Sequence, residues 1–173
     1  MSYLLLYLSR EGQTRRIAEA IASELQQAGA LVVVRELSQV SRAELEQCQR
    51  LVVGASIHYG HLPQPLYAFI ADHHRLLAAR DGAFFCVNLT ARKPGKDTPQ
   101  GSPYMRTFLK KSAWQPQRLA VFAGALRYPR YRWFDRLMIR FIMWLTAGPT
   151  DPRTDIELTD WDKVRAFARS LLS

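Results

Sequence analysis

The sequence predicts an α/β fold, a parallel sheet with helices on both faces, and three observations carry that prediction. Short apolar runs at 3–8, 31–35, 50–55, 83–87 and 119–125 alternate with stretches of helical period. The runs are mostly continuous rather than alternating in polarity, as strands buried on both faces are. The first run leads into Ser9-Arg10-Glu11-Gly12-Gln13-Thr14, a polar loop with one glycine, and then directly into an amphipathic stretch. Strand, short loop and helix N-terminus is how such folds offer backbone N–H groups to a phosphate.

Each element has its own justification. Residues 3–8, Tyr-Leu-Leu-Leu-Tyr-Leu, make a buried central strand. In 14–27, Ile17, Ala18, Ile21, Ala22 and Leu25 share one helical face, and Gly29 stands just past the end. The valine-rich run 31–35 is the second strand. Residues 41–47 form a short helix with Ser41 as N-cap and Glu44 completing a capping box. The third strand is 50–55, followed by a helix over 65–79. The fourth strand is 83–87, followed by a helix over Pro103–Lys111; the fifth strand is 119–125. Residues 160–172 form the closing helix, with Thr159 or Asp160 as its cap.

A length of 173 residues suits one domain with a sizeable core. The N-terminus has neither the basic lead nor the cleavage site of a signal peptide. Cys48 and Cys86 form no disulfide framework, which fits a reduced cytoplasmic compartment, and no metal site is expected. The net charge of +9 is concentrated: residues 101–150 hold nine Lys or Arg against one acid, whereas residues 1–50 hold six of each. Such a block points to a local anionic partner rather than to general solubility.

In a parallel sheet the ligand lies beyond the carboxyl ends of the strands. Four loops fall there: 9–14, 56–61 (Ser56-Ile57-His58-Tyr59-Gly60-His61), 88–95 and 124–127. They hold the small, polar and aromatic residues that a flat heteroaromatic cofactor needs. The first loop has neither the Gly-Lys-Ser/Thr ending of a P-loop nor the three glycines of a dinucleotide loop. Its spacing of small hydroxyl, glycine and threonine matches the FMN-phosphate loop of flavodoxins. An ordinary strand-to-helix turn is the plain alternative.

One stretch exceeds a minimal five-stranded domain. Between Arg127 and Leu145 lie five arginines and one acid, with helical character from Arg132 onward. Arg132, Arg136 and Arg140 step by four and form a polar stripe. Trp133, Leu137, Ile139, Phe141, Ile142, Met143, Trp144 and Leu145 fill the remaining circumference. The apolar run is too short to span a bilayer, which takes roughly 20 residues. Three roles fit: a helix lying in a membrane interface, a lid over an amphiphilic carboxylate ligand, or an insertion packed on the core.

Glu11-Gly12-Gln13-Thr14, Gly54-Ala55-Ser56-Ile57 with Tyr59-Gly60-His61, Val87-Asn88-Leu89 with Ala91-Arg92-Lys93-Pro94, and above all the run 123–133 resemble one family. It is the flavodoxin-like, quinone-dependent protoporphyrinogen IX dehydrogenases of bacteria, and the resemblance covers nearly the whole chain. It implies a flavodoxin-like, doubly wound five-stranded sheet in the order 2-1-3-4-5. It also implies a single domain with a basic, apolar insertion at about 127–149. The implied activity is FMN-dependent oxidation of protoporphyrinogen IX to protoporphyrin IX in heme biosynthesis, with electrons passed to menaquinone or ubiquinone. The implied location is the cytoplasmic face of the inner membrane, by peripheral attachment.

On that basis Ser9, Arg10, Glu11, Gly12, Gln13 and Thr14 are expected at the FMN phosphate. The isoalloxazine is expected between Ser56, Ile57, His58, Tyr59 and Gly60 on one side and Asn88, Leu89, Thr90 and Ala91 on the other, with Tyr59 stacking. Arg92, Lys93, Arg127, Arg130, Arg132, Trp133, Arg136, Arg140 and Trp144 are expected to meet substrate or membrane. Arginine suits this role because it pairs carboxylates bidentately. No catalytic base is assigned: His58 and His61 sit in the right loop, and histidine is the side chain suited to proton transfer near neutral pH, but loop histidines are commonly surface residues.

Rival readings make distinct demands. A one-electron carrier calls for an acidic surface, and this chain is basic. A nicotinamide-driven quinone reductase is separable by its electron donor. A nucleic-acid binder could use the interleaved arginines and aromatics, but 137–145 is too apolar for a phosphate-tracking groove, so no nucleic-acid partner is expected.

Overall fold

The computed structural model describes residues 1–173. Its centre is a five-stranded sheet built from β1 (Ser2–Leu8), β2 (Leu31–Glu36), β3 (Arg50–Ser56), β4 (Asp81–Asn88) and β5 (Arg118–Ala123). The strand order is β2-β1-β3-β4-β5 and every neighbouring pair is parallel, as expected. Alternate residues of each strand serve opposite faces. Leu4, Leu6, Leu51 and Val53 pack with Leu66, Ile70 and Phe108, under α3 (Gln64–Ala78) and α4 (Pro103–Lys111). Tyr3, Leu5, Val52 and Phe85 pack with Ile17, Ile21 and Val164, under α1 (Gln13–Gln27) and α6 (Trp161–Ser170). The short α2 (Arg42–Gln47) carries the expected capping box between Ser41 and Glu44.

Gly54 answers a packing demand. It lies opposite Phe85 in the β3–β4 register, and a Cβ there would overlap the Phe85 ring. Burial pushes the Cys86 thiol up to about 12, so this central-strand residue is a small apolar filler.

The sequence reading needs correction after the fifth strand. Residues 119–125 are not one strand, and 124–127 is not simply a loop. The chain leaves the main sheet at Gly124, whose N–H donates to the Asn88 carbonyl at 3.2 Å. Ala125–Arg127 then forms β6, antiparallel to β7 (Asp155–Glu157). An Arg127–Asp155 ion pair at 2.7 Å fixes this two-stranded ribbon. Three-residue strands are too short to show a period in sequence.

Between the two ribbon strands lies α5 (Trp133–Leu145). Its inner side meets a small separate core of Leu126, Tyr128, Tyr131 and Met143. Trp133, Phe134, Leu137, Phe141, Trp144 and Leu145 are between 53% and 72% exposed. At about 100° per residue these six fall within roughly 120° of arc, so they form one outward apolar face.

Of the arginine stripe, Arg132 is exposed while Arg136 and Arg140 turn toward the backbone of their own segment. Arg136 donates to the carbonyls of Tyr128 at 3.2 Å and Tyr131 at 3.4 Å, and Arg140 donates to that of Thr150 at 2.8 Å. Arg92 reaches the segment from β4's loop, donating to Leu89 at 2.8 Å and Thr146 at 3.0 Å. The guanidinium donors tie these backbone carbonyls together around the small core.

Candidate functional site: a cleft at the carboxyl edge of the sheet

Strand register assembles the site. Leu8 is level with Ala55, Ser56 with Val87, and Asn88 with Ala123. The loops that follow β1, β3, β4 and β5 consequently emerge side by side. They enclose an open cleft. Ser9, Arg10, Glu11, Gln13 and Thr14 line one end; Ser56, Ile57, His58, Tyr59 and Gly60 line a second wall; Asn88, Leu89 and Thr90 line a third.

The first loop has unpaired donors gathered at one point. Gly12, at φ 91°, takes the left-handed cap position of α1, and its N–H donates to Ser9 Oγ at 3.0 Å. No side chain caps the helix and its first turn holds no acid. Thr14 is only 1% exposed, yet its Oγ1 has no hydrogen-bond partner. A buried hydroxyl without a partner, beside free helix-start N–H groups, is the donor set a phosphate monoester requires. The Gln13 side chain instead leaves the loop, donating to Glu157 at 2.7 Å and Thr159 at 2.9 Å, so only its backbone serves the anion end.

The second wall is a tight turn. His58 and His61 exchange two backbone hydrogen bonds, of 2.9 and 3.1 Å, around Tyr59 (φ 48°) and Gly60 (φ 79°). Positive φ at both central residues is the pattern that favours Asn-Gly, and a tyrosine there is held at a cost of about 1 kcal/mol or more. Its ring lies 3.8 Å from the His58 ring. Burial pushes the His58 pKa down, with Arg10 adding to the effect, so the imidazole stays neutral at pH 7. Its Nε2 is buried and has no partner.

The third wall is pinned by Asn88, whose Oδ1 accepts the Ala91 N–H at 2.8 Å. That bond turns Ala91 into the main core rather than into the cleft. Ala91 and Gly12 thus shape the walls without lining them. Tyr104, Gly124, Ala125, Tyr131, Ile139 and Ile142 also line the cleft and were missed in the sequence reading as cofactor-wall residues. Gly124 and Ala125 lie in the expected fourth loop; Ile139 and Ile142 gave no signal, because apolar residues on an apolar helix carry no direction.

The rim is charged. Tyr59 Oη donates to Asp135, and Arg10 donates to the other oxygen of the same carboxylate at 3.3 Å. The Tyr59 bond, with Arg10 adding to it, holds the Asp135 carboxyl below its usual range; burial raises Tyr59, and Asp135 raises it further. Burial also raises Glu11. Arg127 is committed to Asp155, and Arg92, Arg136 and Arg140 to carbonyls. Arg130 and Arg132 are exposed, as are Trp133 and Trp144, while Lys93 is half-buried.

A five-stranded parallel sheet in this order, with donors gathered in the loop after its first strand and a cleft between the next two loops, is the arrangement of the flavodoxin-like fold. A flavodoxin-domain family model matches residues 4–153. The chain superposes on oxidised flavodoxin 1 of Bacillus cereus with a TM-score of 0.57 and 14% identity, covering 99% of this chain and 97% of that one. It superposes on two-electron reduced Megasphaera elsdenii flavodoxin with a TM-score of 0.56 and 15% identity, covering 69% and 84%. It is 47% identical over 171 residues to protoporphyrinogen IX dehydrogenase [quinone] of Escherichia coli K12, spanning 99% of this chain and 94% of the relative. It is 43% identical over 166 residues to the Leishmania major protein of the same name, spanning 95% and 72%. The chain therefore belongs to the flavodoxin-like, quinone-dependent protoporphyrinogen IX dehydrogenase family.

FMN is the cofactor this fold carries, and the cleft fits it on its own terms. Thr14 Oγ1, Ser9 and the helix-start amides suit the phosphate, and the gap between the Tyr59 and Asn88 walls suits a planar ring.

Proposed function

We propose that this protein oxidises protoporphyrinogen IX to protoporphyrin IX and delivers the electrons, through FMN, to menaquinone or ubiquinone. The observation that carries the reading is 47% identity over 171 residues with the relative of that name. Bound FMN supplies two-electron redox chemistry, so three rounds, each returning its electrons to one quinone, complete the six-electron oxidation.

The protein's own residues bind and orient. Ser9 and Thr14 hold the phosphate with the amides of the first turn. Tyr59 and the Asn88–Thr90 wall hold the ring and exclude water from its faces. His58 is neutral and carries an unpartnered buried nitrogen, but no residue is assigned as a base. Lys93, Arg130 and Arg132 carry positive charge that no acid pairs, which favours two-electron reduction of a flavin and attracts the two propionates.

Residues 127–149 are an insertion that sets this chain apart from an electron carrier. Its outward apolar face, with Trp133 and Trp144 among its most exposed residues and Arg130 and Arg132 beside it, supports peripheral attachment to the inner membrane, where quinone resides. No helix is long and apolar enough to cross a membrane.

The test is anaerobic. Protein reconstituted with FMN is given protoporphyrinogen IX and a soluble menaquinone analogue, and porphyrin fluorescence is followed. Porphyrin formation that requires both FMN and quinone is expected. FMN binding without porphyrin formation overturns the substrate assignment, and turnover driven by a nicotinamide donor instead identifies a quinone reductase.

A further inference from the structure

We propose that Asp135, the only acid among residues 101–150, is a positioning residue that holds Tyr59 in place for the flavin and thereby couples docking of α5 to FMN binding. The inference rests on the FMN reading of the cleft and concerns residues of this chain alone. Asp135 sits in the first turn of α5, where an acid is favoured by the helix dipole. That role needs no partner, yet here each carboxylate oxygen accepts from a different element. Oδ1 takes the Tyr59 hydroxyl from the ring-binding turn, and Oδ2 takes Arg10 Nη2 at 3.3 Å from the phosphate loop. The side chain is 13% exposed. One carboxylate thus joins α5 to both loops that must grip the cofactor.

Tyr59 needs such a tether. Its backbone sits at φ 48°, in a turn that would accept Asn or Gly with less strain. A half-buried tyrosine on a strained turn still has more than one orientation open to it; a bond from its hydroxyl to a fixed helix removes that freedom before the flavin arrives. That is preorganisation, which improves affinity by reducing the ordering left to be done on binding. The opposing charge of Arg10 keeps the carboxylate ionised and directed at the turn.

The test uses the full-length protein with Asp135→Ala, Asp135→Asn, Tyr59→Phe and the double variant Tyr59→Phe/Asp135→Ala. FMN affinity is read by quenching of flavin fluorescence, and ring placement by visible circular dichroism of the bound flavin. Asp135→Ala and Tyr59→Phe should each weaken FMN by about tenfold, the worth of one hydrogen bond to a charged group. Each should also alter the flavin dichroism, and the double variant should be little worse than either single one. Asp135→Asn keeps an acceptor for Tyr59 and should lie closer to wild type. Tyr59→Phe changes no residue of α5, so it answers the question even where Asp135→Ala folds poorly. Wild-type affinity and dichroism in Tyr59→Phe, or fully additive losses in the double variant, overturn the positioning role. Failure of the wild-type protein to bind FMN overturns the cofactor reading itself.

Discussion

The sheet and the arginine-rich segment treat the same residue types in opposite ways. In the sheet, Leu5, Leu6, Ile17, Phe84 and Phe108 are fully buried, and its arginines lie at the periphery. In residues 124–158 six large apolar side chains of α5 face outward, and Arg136 and Arg140 turn inward to donate to carbonyls. Burial holds the sheet together. The segment has only a four-residue core and is held by polar bonds, from Arg136 and Arg140 to its own backbone and from Arg10, Gln13, Tyr59 and Arg92 of the main domain. The difference is one of exposure: a sheet edge built on a buried core, and a helix whose apolar face stays open to its surroundings.

The comparison can be broken most sharply through stability. Phe108 stacks on Phe84 at 4.0 Å, and Phe108→Ala should cost ~3–5 kcal/mol in urea unfolding. Met143→Ala in the small core should loosen α5 and leave the main transition in place; equal losses at the two sites would mean a single cooperative core. Next in size, Arg140→Ala should release about 1.5–3 kcal/mol locally, seen as faster amide exchange in α5 with sheet amides unchanged. Faster exchange throughout the sheet would contradict the separation.

Smaller effects sharpen the cofactor side. Thr14→Val removes a buried hydroxyl that has no partner in the protein, so the apoprotein should be as stable as wild type or slightly more so. FMN affinity should nevertheless fall about tenfold, which an isothermal titration would read. A stability loss with unchanged FMN affinity would assign that hydroxyl to the fold.

The pH dependence of stability is the smallest effect, and its sign follows from the shifts. The folded protein holds His58 neutral below the usual histidine range, so beneath about pH 6.5 the unfolded chain binds the additional proton and stability falls. His58→Asn should flatten that limb of a melting-temperature profile. At the alkaline end folded Cys86, pushed up to about 12, keeps its proton while the unfolded thiol loses it above about pH 8.5. Stability should therefore fall there too, and Cys86→Ser should remove that alkaline contribution.

The contrast also explains what the sequence disclosed. The strands at 3–8, 50–55 and 83–87 were legible because a strand buried on both faces is apolar throughout. The phosphate loop was legible because its glycine and hydroxyls sit at fixed offsets from a strand and a helix. The strands β6 and β7 were not, since three residues carry no period. Nor was the direction in which α5 packs: its arginine stripe and its apolar face are equally plain in sequence, and only carbonyls from Tyr128 and Thr150 decide that the arginines go inward. Asp135 escaped notice because a lone acid in a helical first turn is ordinary; its meaning lies in Tyr59 and Arg10, far away in the chain.

The most direct measurement compares two quinone sources in one protein. A Leu137→Glu/Phe141→Glu/Leu145→Glu variant charges the outward face and leaves the cleft untouched. With a soluble quinone analogue it should retain FMN and form porphyrin within about twofold of wild type. With quinone confined to anionic lipid vesicles it should lose most of its turnover, because three glutamates oppose insertion into the interface. Equal turnover from both sources would remove the membrane role of α5, and equal loss from both would place that face in the chemistry rather than in the delivery of quinone.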